Sequence, residues 1–359
     1  MWPTQLSSSS QAEARRWSDR GFRSRLLAIL GIAALLIGAS IAMWLSIREG
    51  RPSTPPLYGA ARPGPAALWM WDGTAYTMRS VPAAGPSSNY ADMSYDRMHS
   101  VIVLWDHGCT SLVMGFQGGC VTHVNRTWTW NGSAWTAHQT QSNPTASGHG
   151  TMLFDSKLGQ VIYVNGVGQA WTWGGSDWAS LALPGGPSIQ VPGSGTQTLT
   201  FAAGYDEGRN LLAVVLSSAT WLWNGSRWTE IASGIDAGEA RADAHVVYDK
   251  AHQQLVYVGS RATWTWDGAR WQQHAQPEIA AGTMGYDEAS GHVLLVQQDS
   301  SACNRTACRT TTWTWDSTAW AQVPVEGGPV LPLTRSGAFG MPMAFDEARG
   351  TMVLFASAS

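Results

Sequence analysis

Two short motifs recur along the chain, and their repetition constrains the fold more than any other feature. The first is Trp-x-Trp, a turn pair, two further residues and an aromatic. It reads WMWDGTAY from Trp69, WTWNGSAW from Trp128, WTWGGSDW from Trp171, WLWNGSRW from Trp221, WTWDGARW from Trp264 and WTWDSTAW from Trp313. The second is an aromatic-Asp pair followed by an apolar run: SYDRMHSVIVLW, LFDSKLGQVIYV, GYDEGRNLLAVV, VYDKAHQQLVYV, GYDEASGHVLLV and AFDEARGTMVLF. Asp-Gly and Asn-Gly favour two-residue type I′ hairpins, which need positive φ at both positions. With Asp267-Gly268 as the turn, Trp266 faces Ala269 and Trp264 faces Trp271. The same register predicts the pairs Trp128–Trp135, Trp171–Trp178, Trp221–Trp228, Trp313–Trp320 and Trp69–Tyr76. Asp316-Ser317 lacks the glycine and predicts a strained or different turn.

The second motif predicts another hairpin. An apolar strand ends at Asp96, Asp155, Asp206, Asp249, Asp287 or Asp346, and the carboxylate accepts backbone N–H groups of the turn. The strand that follows is apolar on both faces, as a buried strand must be. Each unit is then a meander of four strands, A to D. Sheets apolar on both sides must stack on both sides, and radial stacking of four-stranded blades solves this. The expected fold is all-β, a six-bladed β-propeller over residues 67–359. The first Trp motif precedes the first aromatic-Asp motif, and the last aromatic-Asp motif has no Trp motif after it. Strands A and B at the C-terminus are therefore expected to pair with strands C and D near residues 67–79, closing the ring without an open edge.

The six WxW-turn-xxW and six (Y/F)D…VLV hairpins resemble the bacterial kelch-like, galactose-oxidase-type propeller family. The glycine pair usual after strand B survives only in part, as Asn165-Gly166 and Gly259-Ser260. The resemblance implies a propeller and a tendency to bind partners or glycans; it fixes no activity.

Upstream of the repeats, residues 26–47 read LLAILGIAALLIGASIAMWLSI, without an ionisable side chain. As a helix this run spans about 33 Å, enough for a ~30 Å hydrocarbon core. Arg15, Arg16, Arg20, Arg23 and Arg25 precede it, and Arg48 and Arg51 follow. This bias predicts a single-pass anchor with residues 1–25 as a cytoplasmic tail. The rival reading is a signal peptide cleaved near Ser40-Ile41-Ala42. Either way the rest of the chain is extracytoplasmic. Residues 48–66, rich in Pro, Gly and Ala, read as a semi-extended linker. Lys157 and Lys250 are the only lysines, and the net charge is −3, so no basic patch for nucleic acid is expected.

Whatever all six units share is architectural, including the six Asp and the Trp128, Trp171, Trp221, Trp264 and Trp313 motifs. Function belongs to what differs. The B–C connections of blade 1 (DHGCTSLVMGFQGGCVTHVNR) and blade 5 (QQDSSACNRTACRTT) are the longest and hold all four cysteines. Outside the cytoplasm this predicts the disulfides Cys109–Cys120 and Cys303–Cys308. A zinc site from His107, Cys109, Cys120 and His123 is the competing reading; blade 5 has no matching histidines, so no metal and no cofactor is expected. Both blades flank the closing blade, and their loops outline a binding region with His107, Phe116, Arg126, Arg305 and Arg309 as contributors. The D–A connection at 183–197 lies on the same face. No HExxH, Walker or G-x-S-x-G motif is present. The expected function is a membrane-anchored binding module for a protein or glycan. The alternatives are a glycan-active hydrolase, lyase or oxidase using the loop face, and a structural surface protein without a specific ligand.

Overall fold

The structure is a computed structural model. It describes residues 66–82, 85–86, 90–112, 120–145, 150–187, 202–216, 219–231, 235, 239, 244–277, 282–303, 307–325, 327–332 and 341–356, without the side chains of 109–112, 120–123, 300, 307 and 331–332. The expected membrane helix at 26–47 and its flanking segments lie outside these residues. Among the described residues no helix is long and apolar enough to cross a membrane.

The chain builds six four-stranded antiparallel units. It opens with β1 (Ala67–Trp71) and β2 (Tyr76–Ser80). Blade 1 follows as β3 (Ala91–Asp96), β4 (Val101–Asp106), β7 (Arg126–Trp130) and β8 (Trp135–His138). Between its second and third strands stands a small hairpin, β5 (Cys109–Leu112) with β6 (Cys120–His123). Blade 2 is β9 (Thr151–Asp155), β10 (Gln160–Val164), β11 (Ala170–Trp173) and β12 (Trp178–Leu181). Blade 3 is β13 (Ala202–Asp206), β14 (Leu211–Val215), β15 (Thr220–Trp223) and β16 (Trp228–Ile231). Blade 4 is β17 (Val246–Asp249), β18 (Gln254–Val258), β19 (Ala262–Trp266) and β20 (Trp271–Ala275). Blade 5 is β21 (Gly282–Asp287), the long pair β22 (His292–Cys303) and β23 (Ala307–Trp315), and β24 (Trp320–Val323). A short β25 (Val330–Pro332) adds to β23. The chain ends in β26 (Met343–Asp346) and β27 (Thr351–Ala356).

The two ends share one sheet, ordered β2-β1-β27-β26. Trp69 stands opposite Leu354, and Leu68 opposite Phe355. This is the closure the half-units require. The innermost strands then touch in sequence, β26 to β3, β9, β13, β17, β21 and back to β26, so the six sheets form a closed ring. Six apolar clusters separate the blades, one per interface. Their centres are the strand-B runs, with Ile102, Leu104, Val161, Leu212, Leu255 and Val293 fully buried. Two-sided burial of the B strands is what drives radial stacking.

The Trp hairpins correct the expected register. Trp266 pairs with Trp271 and Trp264 with Gln273. The same shift pairs Trp130 with Trp135, Trp173 with Trp178, Trp223 with Trp228, Trp315 with Trp320 and Trp71 with Tyr76. The predicted partners Trp128, Trp171, Trp221, Trp313 and Trp69 instead face Ala137, Ser180, Glu230, Gln322 and Met78. The cause is the turn residue's side chain. Asp267 Oδ1 accepts from the N–H groups of Ala269 and Arg270 at 2.8 and 2.9 Å, so the Asp lies outside the two central residues. Asn131, Asn224, Asp72 and Asp316 cap their turns in the same way. Only the glycine has positive φ, 97° at Gly268, the pattern of a type II′ rather than a type I′ turn. Ser317 adopts φ 82° at the equivalent place, so the glycine-less turn keeps the common geometry and bears the strain.

Candidate functional site

The shared residues have identifiable structural tasks. Asp96 Oδ1 accepts from the N–H groups of Met98 and His99 at 3.0 and 3.2 Å, and Asp155 Oδ1 from Lys157 and Leu158, both at 2.9 Å. Asp206, Asp249, Asp287 and Asp346 are buried in the same A–B turns. The tyrosine before the Asp reaches the preceding blade. Tyr95 OH accepts from Ala348 N–H at 3.2 Å, Tyr205 OH from Lys157 N–H at 3.3 Å, and Tyr286 OH from Ala251 N–H at 3.1 Å.

What differs between blades appears first on the axis. The residues following the repeat Asp are Arg97, Ser156, Glu207, Lys250, Glu288 and Glu347. Arg97 bonds Glu207 at 2.8 Å and Glu288 at 3.4 Å, and closes a third ion pair with Glu347. Lys250 approaches Glu288 at 3.1 Å. The Arg97 guanidinium also lies 5.4 Å from the Phe154 ring centre. Burial works against its charge, but Glu207 and Glu347 outweigh that and hold its pKa above the ordinary value. These groups line an axial cavity of about 190 Å³, with Tyr95, Phe154, Tyr205, Tyr248, Tyr286 and Phe345. Sequence reading missed this constellation. Its signal was available, since aligning the six aromatic-Asp motifs puts five charged residues in one column, and a ring brings one column to one axis.

The A–B face is tied down further. Lys157 Nζ donates to Asn224 C=O of the next blade at 2.6 Å, and Arg209 and Arg349 reach the Asp267 and Asn131 carbonyls of theirs. The opposite face, carrying the B–C connections, holds the residues expected to bind. His107 Nε2 meets Asp92 Oδ2 at 2.9 Å, and its ring stacks on Trp105 at 4.4 Å. Arg126 is exposed, its guanidinium 5.6 Å from the Trp128 ring centre. Arg309 is exposed on β23. Cys303 and Cys308 face each other across β22 and β23 and are joined by a disulfide. Phe116 and Arg305 lie outside the described residues, as do the side chains of Cys109, Cys120 and His123 on which the second disulfide and the zinc alternative rest. Among the described residues no group of three His, Cys, Asp or Glu could hold a metal ion. His107 lies in the connection just after β4, Arg126 opens β7 and Arg309 sits on β23.

No protein-family model matches the chain, and no curated protein sequence is similar to it. Solved structures share its fold at low identity. A Bacteroides thetaiotaomicron protein of unknown function aligns with a TM-score of 0.46 at 10% identity, covering 81% of this chain and 76% of that one. The six-bladed lectin of Aleuria aurantia gives 0.43 at 12%, over 73% and 85%. A GH74 xyloglucanase from Xanthomonas campestris gives 0.44 at 12%, over 72% and 43%. Likenesses this distant leave the strand registers of the chain itself as the ground for its architecture.

Proposed function

We propose that this chain is a membrane-anchored display module of the kelch-like kind. Residues 26–47 hold it in the bilayer with residues 1–25 in the cytoplasm. The ring stands in the extracytoplasmic space and binds a protein or glycan through the face carrying the B–C connections, with His107, Phe116, Arg126, Arg305 and Arg309 among the contributors. The contrast between the two faces carries this reading. On the A–B face the turn side chains are engaged in bonds to neighbouring blades and in the axial ion pairs. The other face holds both lengthened connections, the Cys303–Cys308 staple and the Asp92–His107 pair, none of which the six-fold repeat needs. Polar groups placed without an architectural task on connecting loops mark binding more often than packing.

The test is a glycan array and a cell-surface pull-down with the full-length chain, repeated with Arg126→Ala and Arg309→Ala. Saturable capture that weakens in the variants is expected. Turnover of a captured glycan would move the protein to the enzyme class, and two empty screens would leave a structural role. For the anchor, carbonate-resistant membrane association and cleavage of the ring by external protease are expected. A mature N-terminus near residue 43 would replace the anchor with a signal peptide.

A further inference from the structure

The axial cavity of about 190 Å³ has one charged end. There, at the A–B turns, it is lined by Arg97, Glu207, Lys250, Glu288 and Glu347. Deeper along the inner strands the lining is largely apolar, with Met93, Leu153, Val246 and Met343. Solvent reaches the charged end. The side chains of Arg97 and the three glutamates are between 25 and 29% exposed, and that of Lys250 is 50% exposed.

Two cations face three carboxylates here, so the lining carries one net negative charge at neutral pH. The ion pairs use one oxygen of each carboxylate. Glu288 Oε1 takes both Arg97 and Lys250, Glu207 Oε1 and Glu347 Oε1 take Arg97, and the three Oε2 atoms have no described bond. One guanidinium touches all three carboxylates, so they stand around one point of the axis. Among the described residues no group of three His, Cys, Asp or Glu could hold a metal ion, so the excess charge is not a metal site. The cavity wall already accepts an organic cation, since the Arg97 guanidinium lies 5.4 Å from the Phe154 ring centre. The residue before the repeat Asp is Phe only at Phe154 and Phe345, in the blades on either side of blade 1. Both rings line the cavity, and neither carries a hydroxyl that could tie it to a neighbouring blade.

We infer that the axial cavity binds a small organic ammonium ion, with its charge among Glu207, Glu288 and Glu347 and its hydrocarbon group against the apolar lining. This site lies apart from the B–C face proposed above for a protein or glycan, and does not depend on it. An ammonium group has three donors and meets three uncommitted acceptors. Water could satisfy those acceptors, but it neither balances the charge nor covers the apolar lining. A phosphate or carboxylate is repelled by the excess carboxylate. Size sets the hydrocarbon group. An apolar cavity of about 150 Å³ takes a benzene, so this one has room for a six-carbon ring and an aminomethyl group.

The test titrates the full-length chain, in a non-ionic detergent, with benzylammonium. Benzyl alcohol and benzoate are the neutral and anionic controls of the same shape, and methylammonium is the control without a ring. Binding is read by calorimetry against detergent blanks. Benzylammonium should bind saturably, at least tenfold tighter than benzyl alcohol or methylammonium, and more weakly as sodium chloride is added. Benzoate should not bind. Glu288→Gln balances the charge of the lining and should weaken benzylammonium at least tenfold. Lys250→Met doubles the excess negative charge and should tighten it about threefold, a sign that damage to the fold would not give. Benzyl alcohol bound as tightly as benzylammonium overturns the site, as does benzoate binding. So does unchanged or weaker benzylammonium binding in Lys250→Met. No saturable binding at millimolar benzylammonium means that the cavity holds water only, and also overturns it. The glycan and pull-down screens concern the opposite face, so their result leaves each of these outcomes as it stands.

Discussion

A threonine before the first Trp of the hairpin ties neighbouring blades together. Trp178 Nε1 donates to Thr127 of the preceding blade at 2.8 Å, Trp271 to Thr220 at 2.7 Å, and Trp320 to Thr263 at 2.8 Å. Tyr76 OH and Thr312 share the same bond at 2.9 Å, and burial pushes the Tyr76 pKa up to about 12. Blade 2 has Ala170 at this place, so Trp228 turns to Leu183 C=O at 3.3 Å. The closing blade has Leu68, and Trp135 Nε1 is left unpaired. Thr220→Val keeps the shape, removes the acceptor and orphans an indole N–H, and should cost about 1–3 kcal/mol in urea unfolding. Ser317→Gly has the opposite sign: it relieves a positive φ and should add about 0.5–1 kcal/mol in the same measurement. The pH response has its own residues. His138 and His274 each share a 2.9 Å bond with a neighbouring threonine, pack edge-on against Trp173 and Trp315, and have pKa values lowered by burial. The unfolded chain therefore binds protons more readily than the folded one. Their contribution is complete above about pH 6.5 and is lost as pH falls through the folded values. Urea midpoints at pH 7.5 and 5.5 should differ less in His138→Gln/His274→Gln than in the wild type.

At the scale of strands and hairpins, the repeat spacing made the blades and their closure legible, because two-sided apolar strands leave few ways to stack. Register was less legible. An Asp-Gly pair reads as the two central residues of a turn, but the Asp carboxylate bonds two N–H groups beyond the glycine and moves the loop by one residue. Side-chain capping of this kind competes with backbone pairing and leaves no periodicity to detect. The candidate site was legible only where cysteines and loop length marked it. Arg97, Glu207, Glu288 and Glu347 come from different blades, and only the closed ring makes them neighbours. The Cys303–Cys308 disulfide was legible because both cysteines stand in one lengthened connection, five residues apart, and the structure places them face to face on paired strands. It closes a loop of only a few residues, so its chain-entropy contribution is about 2 kcal/mol. Cys303→Ser/Cys308→Ser should raise amide exchange in the outer parts of β22 and β23 and in β25, leaving the A–B turns protected. Loss of protection throughout the ring would show that the staple matters to the whole fold.

Across the whole molecule, the ring is held by sheet pairing at one seam and by charge at its centre. The seam joins residues near both ends of the ring, Trp69 against Leu354, so no blade interface can open without breaking either a sheet or an apolar cluster. The centre is different in kind. Arg97 from blade 1 contacts Glu207 from blade 3, Glu288 from blade 5 and Glu347 from the closing blade, and so spans the axis rather than one interface. Three carboxylates converge there on two cations, and Lys250 has a described bond only with Glu288. Removing Arg97 leaves the carboxylates facing one another across a cavity of about 190 Å³. Like charges at that range repel, and the repulsion is weakened by salt. Arg97→Met should therefore destabilise the ring by about 1–3 kcal/mol at low ionic strength, and the deficit should shrink by half a molar sodium chloride. The triple variant Glu207→Gln/Glu288→Gln/Glu347→Gln in the Arg97→Met background should recover stability even without salt, because no carboxylate of the cluster is left to repel another. Equal losses for Arg97→Met at low and high salt would mean that the arginine acts through packing on Phe154 rather than through its carboxylates.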